Sequence, residues 1–129
     1  MRENWIEIVN ILQTNVETNS LENKFKDDLI SCLRILGWKT INGSLKREVS
    51  LPIGNNNSIS PDILLCKNNA VLPIEAKRPD NVCNERQVSQ LISYMRQFKS
   101  NVGIYIGNDI RFFYDNQTDQ DPAICVFNV

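Results

Sequence analysis

The sequence predicts an α/β domain, a central mixed sheet with helices on both sides. Three observations predict it. Apolar residues recur at helical spacing in two segments before residue 37 and again after residue 84. Short apolar runs bounded by Asn, Gly and Pro fill most of the remainder, as strands do. One helical segment also lies between two such runs, and a helix in that position joins parallel strands by a crossover, right-handed as a rule. The expected order is α-α-β-β-β-α-β-β-β.

The first helix is expected from Trp5 to about Val16, with Trp5, Ile8, Val9, Leu12 and Val16 apolar and Glu7, Asn10 and Gln13 opposite. Thr18, Asn19 and Ser20 break it, and Asn19 with Glu22 three residues on has the form of a capping box. The second helix is expected from Leu21 to Leu36, striped by Leu21, Phe25, Leu29, Leu33 and Leu36, with Gly37 and then Trp38 as its stop. Glu22 lies within roughly 20° of Leu29 and Leu33 on that helix. A carboxylate on a buried stripe costs free energy unless something pairs with it.

Strands are expected at Lys46–Leu51, at 60–66 and at 70–77, with a loop at 54–58 and a turn at Asn68-Asn69. A third helix is expected over about Glu85–Lys99, with Val88, Leu91, Ile92, Met95 and Phe98 apolar. Val102–Ile106 and Ile110–Tyr114 read as a hairpin around Gly107, with Ile104 and Ile106 on one face of a core strand, and 124–129 reads as a last strand.

Composition excludes several functions. At 129 residues the chain is one domain, with an extra helix over 1–18 ahead of a core over 20–115. It has no histidine, which removes His-based triads, His-containing zinc sites and His general bases. It has no P-loop motif. The four cysteines form no C-x-x-C pair and read as reduced thiols. No apolar run approaches a membrane span. The opening residues, charged and without a signal-peptide apolar run, make a cytoplasmic location the expectation. A net charge of −1 gives no strong pull on nucleic acid, so such contact needs a local basic patch or a partner. Lys46, Arg47, Lys77, Arg78, Arg86, Arg96 and Lys99 are candidates for that rim.

The chemistry converges on one hairpin. With Asn68-Asn69 as a two-residue turn, Lys67 pairs with Ala70, and the same register places Asp62 opposite Glu75, with Cβ atoms about 4.5–5.5 Å apart. Lys77, two residues past Glu75, points to the same face. Two facing carboxylates repel and need a compensating cation, and a hard divalent ion such as Mg²⁺ (Mn²⁺ substituting) fits them. Such an ion lowers the pKa of a bound water and neutralises charge on a phosphate under attack. Pro73 has no N–H and would interrupt the ladder unless the strand bulges or forms an edge there.

Pro61-Asp62, twelve intervening residues and Glu75-Ala76-Lys77 resemble the motif of the PD-(D/E)xK nuclease superfamily. Glu22 resembles that superfamily's helical acidic residue, and Gln90 to Tyr94 its Q-x-x-x-Y element. The pattern is most similar to the N-terminal nuclease domain of type I restriction enzyme R subunits, including the segments at 73–79, 102–107 and 111–114. The resemblance spans roughly residues 20–115 and includes no motor. It implies a restriction-endonuclease-like fold and a Mg²⁺-dependent endodeoxyribonuclease of restriction or defence type. It implies Asp62, Glu75, the Ala76 carbonyl and Glu22 as metal ligands, with Lys77 as the catalytic lysine. Gln90, Tyr94, Gln87 and Arg78 would meet the substrate. DNA is the implied partner, with a homodimer or a larger restriction complex supplying affinity. The alternatives are a catalytically silent DNA-binding or assembly module of the same fold, or a nuclease of RNA or branched DNA.

Overall fold

The computed structural model describes residues 2–49, 51–52, 58–116 and 124–128. Three helices, α1 (Arg2–Thr18), α2 (Glu22–Ile35) and α3 (Glu85–Gln97), accompany eight strands. The strands are β1 (Leu45–Arg47), β2 (Leu51–Pro52), β3 (Ser58–Ile59), β4 (Ile63–Lys67), β5 (Ala70–Ala76), β6 (Val102–Ile106), β7 (Ile110–Tyr114) and β8 (Ile124–Asn128). Six of them form one mixed sheet in the order β1-β4-β5-β6-β7-β8, and β2 and β3 form a separate two-stranded ribbon. Only β5 and β6, the two strands flanking α3, run parallel; the other pairs in the sheet are antiparallel.

The architecture is the expected one, but the element order needs correcting. Among the described residues five strands stand between α2 and α3, not three. The strand expected at Lys46–Leu51 is broken because Glu48 turns to positive φ (50°), which ends β1 at Arg47 and lets the chain leave the sheet. The loop expected at 54–58 lies mostly outside the described residues, as does the last position of the strand expected at 124–129.

The sheet separates two apolar clusters. Phe25, Leu29 and Ile30 of α2 pack with Leu45, Ile63, Leu65, Ile74 and Ala76 on one face. Leu91, Tyr94 and Met95 of α3 pack with Tyr105 and Phe113 on the other. The close approach of α3 to β6 requires Gly103, where a Cβ would sit 2.7 Å from the Met95 sulfur. α1 packs on α2 and buries only part of its predicted stripe. Ile8 is buried, whereas Trp5, Val9 and Val16 are exposed, as are Leu21 and Leu36 at the ends of the α2 stripe.

All three helices stop in the same way. A residue of positive φ (Asn19, Gly37 or Lys99) follows the cap, and the next N–H returns to the carbonyl five residues earlier. The capping box expected at Asn19 and Glu22 is absent. Leu21 is the N-cap of α2 and makes no side-chain cap, because Asn19 is already the terminator of α1 and its amide donates to Asp80. A capping box does form at α3, where Asn84 and Gln87 satisfy each other's backbone N–H groups.

Candidate active site

The β4–β5 hairpin has the predicted register. Lys67 faces Ala70 and Ile63 faces Ile74 without a bulge. Asn68 and Asn69 both take positive φ (50° and 68°), the requirement of a type I′ turn. Pro73 sits inside the sheet opposite Leu64, without the expected bulge or edge. The Cys66 N–H donates toward β1, to the Ser44 carbonyl, so Cys66 and Leu64 turn their N–H groups away from β5. Leu64 and Pro73 are then a non-hydrogen-bonded pair, and the missing N–H of Pro73 lies on the β6 side, where the ladder begins only at Ile74.

That register carries the acidic pair. Ile63, Leu65, Ile74 and Ala76 face α2, so alternation turns Asp62, Glu75 and Lys77 to the α3 side at the end of the hairpin. The Asp62 N–H donates to Glu75 Oε1 (3.1 Å), and the Ala76 N–H donates to Asp62 Oδ2 (2.9 Å). Lys77 Nζ lies 3.9 Å from Glu75 Oε2. Glu75 is 4% exposed. Burial, and then the charge of Asp62, push its carboxyl up to about 7, against the Asp62 N–H and the two nearby amines.

Lys26 of α2 completes the cluster, and the sequence reading missed it. Its ammonium lies 2.8 Å from Asp62 Oδ1 and 3.1 Å from Glu22 Oε2, with its side chain nearly buried. Burial disfavours the charge. The hydrogen bonds and charges of Asp62, and then of Glu22, outweigh that and hold the group above its ordinary range, so it is protonated. A signal for it existed. Lys26 is seven residues before Leu33 and about 20° from it around the helix, the same kind of anomaly that drew attention to Glu22. Glu22 itself is less buried than expected: its side chain is 41% exposed, and its carboxylate reaches Lys26 one helical turn on.

The α3 residues divide. Gln90 donates to the Tyr94 hydroxyl (2.8 Å). Tyr94 is buried, and burial followed by the charges of Glu75 and Asp62 raises its hydroxyl to about 12, so it stays protonated beside the acidic pair. Gln87 is occupied by the α3 cap and by Asn81. Arg78 is tied to the carbonyl of Asn19. A pocket of about 360 Å³ adjoins Lys77 and is lined by Asn84, Arg86, Gln87 and Gln90.

The donor set fits a hard divalent ion at two carboxylates. Asp62 and Glu75 lie side by side, and Mg²⁺ is commonly held by one or two carboxylates plus water. A third carboxylate does not join them. Among the described residues no group of three His, Cys, Asp or Glu side chains is placed to hold a metal, since Lys26 stands between Asp62 and Glu22.

No protein-family model matches the chain, and no curated protein does. Among solved structures it is similar to Hjc of Archaeoglobus fulgidus, a Holliday junction resolvase from an archaeal hyperthermophile. The identity is 21% over 81% of this chain and 88% of that one, with a TM-score of 0.46. Among the described residues no helix is long and apolar enough to cross a membrane.

Proposed function

We propose that the chain is a divalent-metal-dependent nuclease that hydrolyses DNA phosphodiester bonds, a member of the PD-(D/E)xK superfamily acting in restriction or defence. The observation that carries this reading is the convergence of Asp62, Glu75 and Lys77 on one face of the hairpin, with Glu75 buried against the charge of Asp62. A pair so arranged is destabilising in isolation and becomes favourable around a cation.

Asp62 and Glu75, with the Ala76 carbonyl, would hold Mg²⁺. The ion supplies a water of lowered pKa and neutralises charge gathering on the phosphate. Asp62 is pre-oriented by the Ala76 N–H and by Lys26, so little reorganisation accompanies loading. Lys77 lines both the acidic pair and the adjoining pocket, where its amine orients the attacking water or donates to a phosphate oxygen. Gln90 and Arg86, exposed on the same pocket, would meet the DNA backbone. Tyr94 is held by Gln90 and braces the floor beside Glu75. Gln87 and Arg78, spent on the helix cap and on the α1–α2 turn, act by holding structure.

The test is incubation with plasmid, branched DNA and RNA, each with Mg²⁺, Mn²⁺ or EDTA. Metal-dependent cutting of DNA that is lost in Asp62→Ala and Lys77→Ala is the expected result. Cutting that persists in both variants overturns the site. DNA binding without cleavage or metal dependence would instead indicate a silent binding module, and preference for RNA or for branched DNA would replace the substrate.

A further inference from the structure

Lys26 is an expensive residue in this position. It is a nearly buried ammonium on the apolar side of α2, and it reaches past its own helix to Asp62. Packing alone would be served better by a leucine or methionine. Three carboxylates (Glu22, Asp62 and Glu75) lie along one line of contacts, and Lys26 occupies the place between the first two where a cation would bridge them.

Resting on the nuclease reading above, we propose that Lys26 is a positioning residue that stands in for a second divalent ion. Fixed between Glu22 and Asp62, its ammonium limits the site to one ion, held by Asp62 and Glu75, and keeps Glu22 out of that ion's ligand set. The spacing agrees. A second divalent ion seated between Glu22 and Asp62 would meet the Lys26 amine at contact distance. The Glu22–Lys26 spacing also suits the role. Glutamate four residues before lysine on a helix is the favourable order, so Glu22 steers the ammonium and Asp62 receives it.

The experiment is calorimetric titration of the full chain with MnCl₂ alone, without DNA, on wild type, Lys26→Met and the double variant Lys26→Met/Glu22→Gln. Folding is checked by circular dichroism. Wild type is expected to bind one Mn²⁺. Lys26→Met frees Asp62 and Glu22 and should bind two, the first at least about tenfold tighter than in wild type. The double variant should return to one. Lys26→Gln, which retains a hydrogen-bond donor without the charge, should give two ions as well and serves if the methionine variant fails to fold. One ion of unchanged affinity in the folded Lys26 variants would overturn the role of Lys26 and leave the nuclease reading intact, as would two ions in wild type. No ion in wild type at millimolar Mn²⁺ would overturn both.

Discussion

The β4–β5 hairpin is built by opposite rules at its two ends. At the turn, every local choice agrees with the fold: two asparagines take the positive φ that the turn demands, and the adjoining Lys67 and Ala70 are exposed. The pocket near that end, about 390 Å³ and lined by Trp38, Leu65, Val71 and Leu72 among others, contains no carboxylate. At the open end, three carboxylates and two amines crowd within contact distance of one another, and Glu75 and Lys26 are buried. The same two strands support both ends, so the difference comes from the side chains. Natural sequences break the local rules where function requires it and compensate elsewhere. On the proposed function, stability belongs to the turn and chemistry to the open end.

The largest effect that could break this assignment is in cleavage. Asp62→Asn and Lys77→Ala should each lower kcat/KM by at least about 100-fold, the scale of removing one charged group from a preorganised site. Asn68→Ala, at the turn, should leave kcat/KM within about twofold while lowering the melting temperature. A cleavage assay on purified, folded variants decides it. Comparable losses at both ends would mean that the hairpin merely needs to be intact.

Next in size is a stability effect of opposite sign. The Glu75 carboxyl is raised in the folded chain to about 7 from an ordinary 4.5, chiefly by burial. The folded state therefore binds this proton more tightly than the unfolded one. The stabilisation is complete below about pH 4.5 and is lost as pH rises through about 7. Glu75→Gln should remove this dependence. In EDTA at pH 8 the variant should be more stable than wild type by on the order of 1–3 kcal/mol, and at pH 4.5 the gain should vanish. Urea denaturation at the two pH values measures it. A Glu75→Gln variant that is less stable at pH 8 would show that the carboxylate is a structural ion-pair partner and would remove the contrast between the two ends.

How far the molecule was legible in its sequence follows the same division. The hairpin register was legible because Asn68-Asn69 specifies its turn and a period of two does the rest, carrying Asp62 to Glu75. Strands β6 and β7 were legible to the residue because apolar runs and a polar turn delimit them. Glu48 was not, since nothing in its side chain announces a positive φ. Lys99 was missed as a helix terminator for that reason, whereas Gly37 was plain and Asn19 was read as part of the break after the first helix. In the site, Glu22 was noticed as a carboxylate on an apolar stripe, but its partner lay one turn away on the same stripe. Long lysine side chains ordinarily snorkel to water from such positions. Only the tertiary approach of α2 to Asp62 shows that this one turns inward.

A smaller effect concerns the helix that carries Gln90 and Tyr94. Asn84 caps α3 by accepting from the Gln87 N–H, and Gln87 returns the contact to the Asn84 N–H. Asn84→Ala should cost about 1 kcal/mol of stability. Because Gln87 also holds Asn81, fraying there should raise KM for DNA more than it lowers kcat. A steady-state comparison with wild type separates the two parameters. A fall in kcat alone would place Asn84 closer to the chemistry than the hairpin comparison allows.

The smallest effect sharpens the turn end itself. Asn69 holds φ at 68°, a conformation asparagine tolerates and glycine adopts without strain. Asn-Gly is the preferred pair for a type I′ turn, so Asn69→Gly completes a chemistry the chain already approximates. Relief of strain in the folded state competes with the greater freedom glycine gives the unfolded chain, which leaves a net gain of a few tenths of a kcal/mol. The variant should melt one to a few degrees higher, by roughly the conversion that holds for domains of this size. Its metal affinity and cleavage rate should be those of wild type, because the turn lies at the far end of β4 and β5 from Asp62 and Glu75. Should a substitution that only eases the turn alter the ion binding of the open end, the two ends would be mechanically coupled through the strands, and the division of labour drawn from their side chains would not hold.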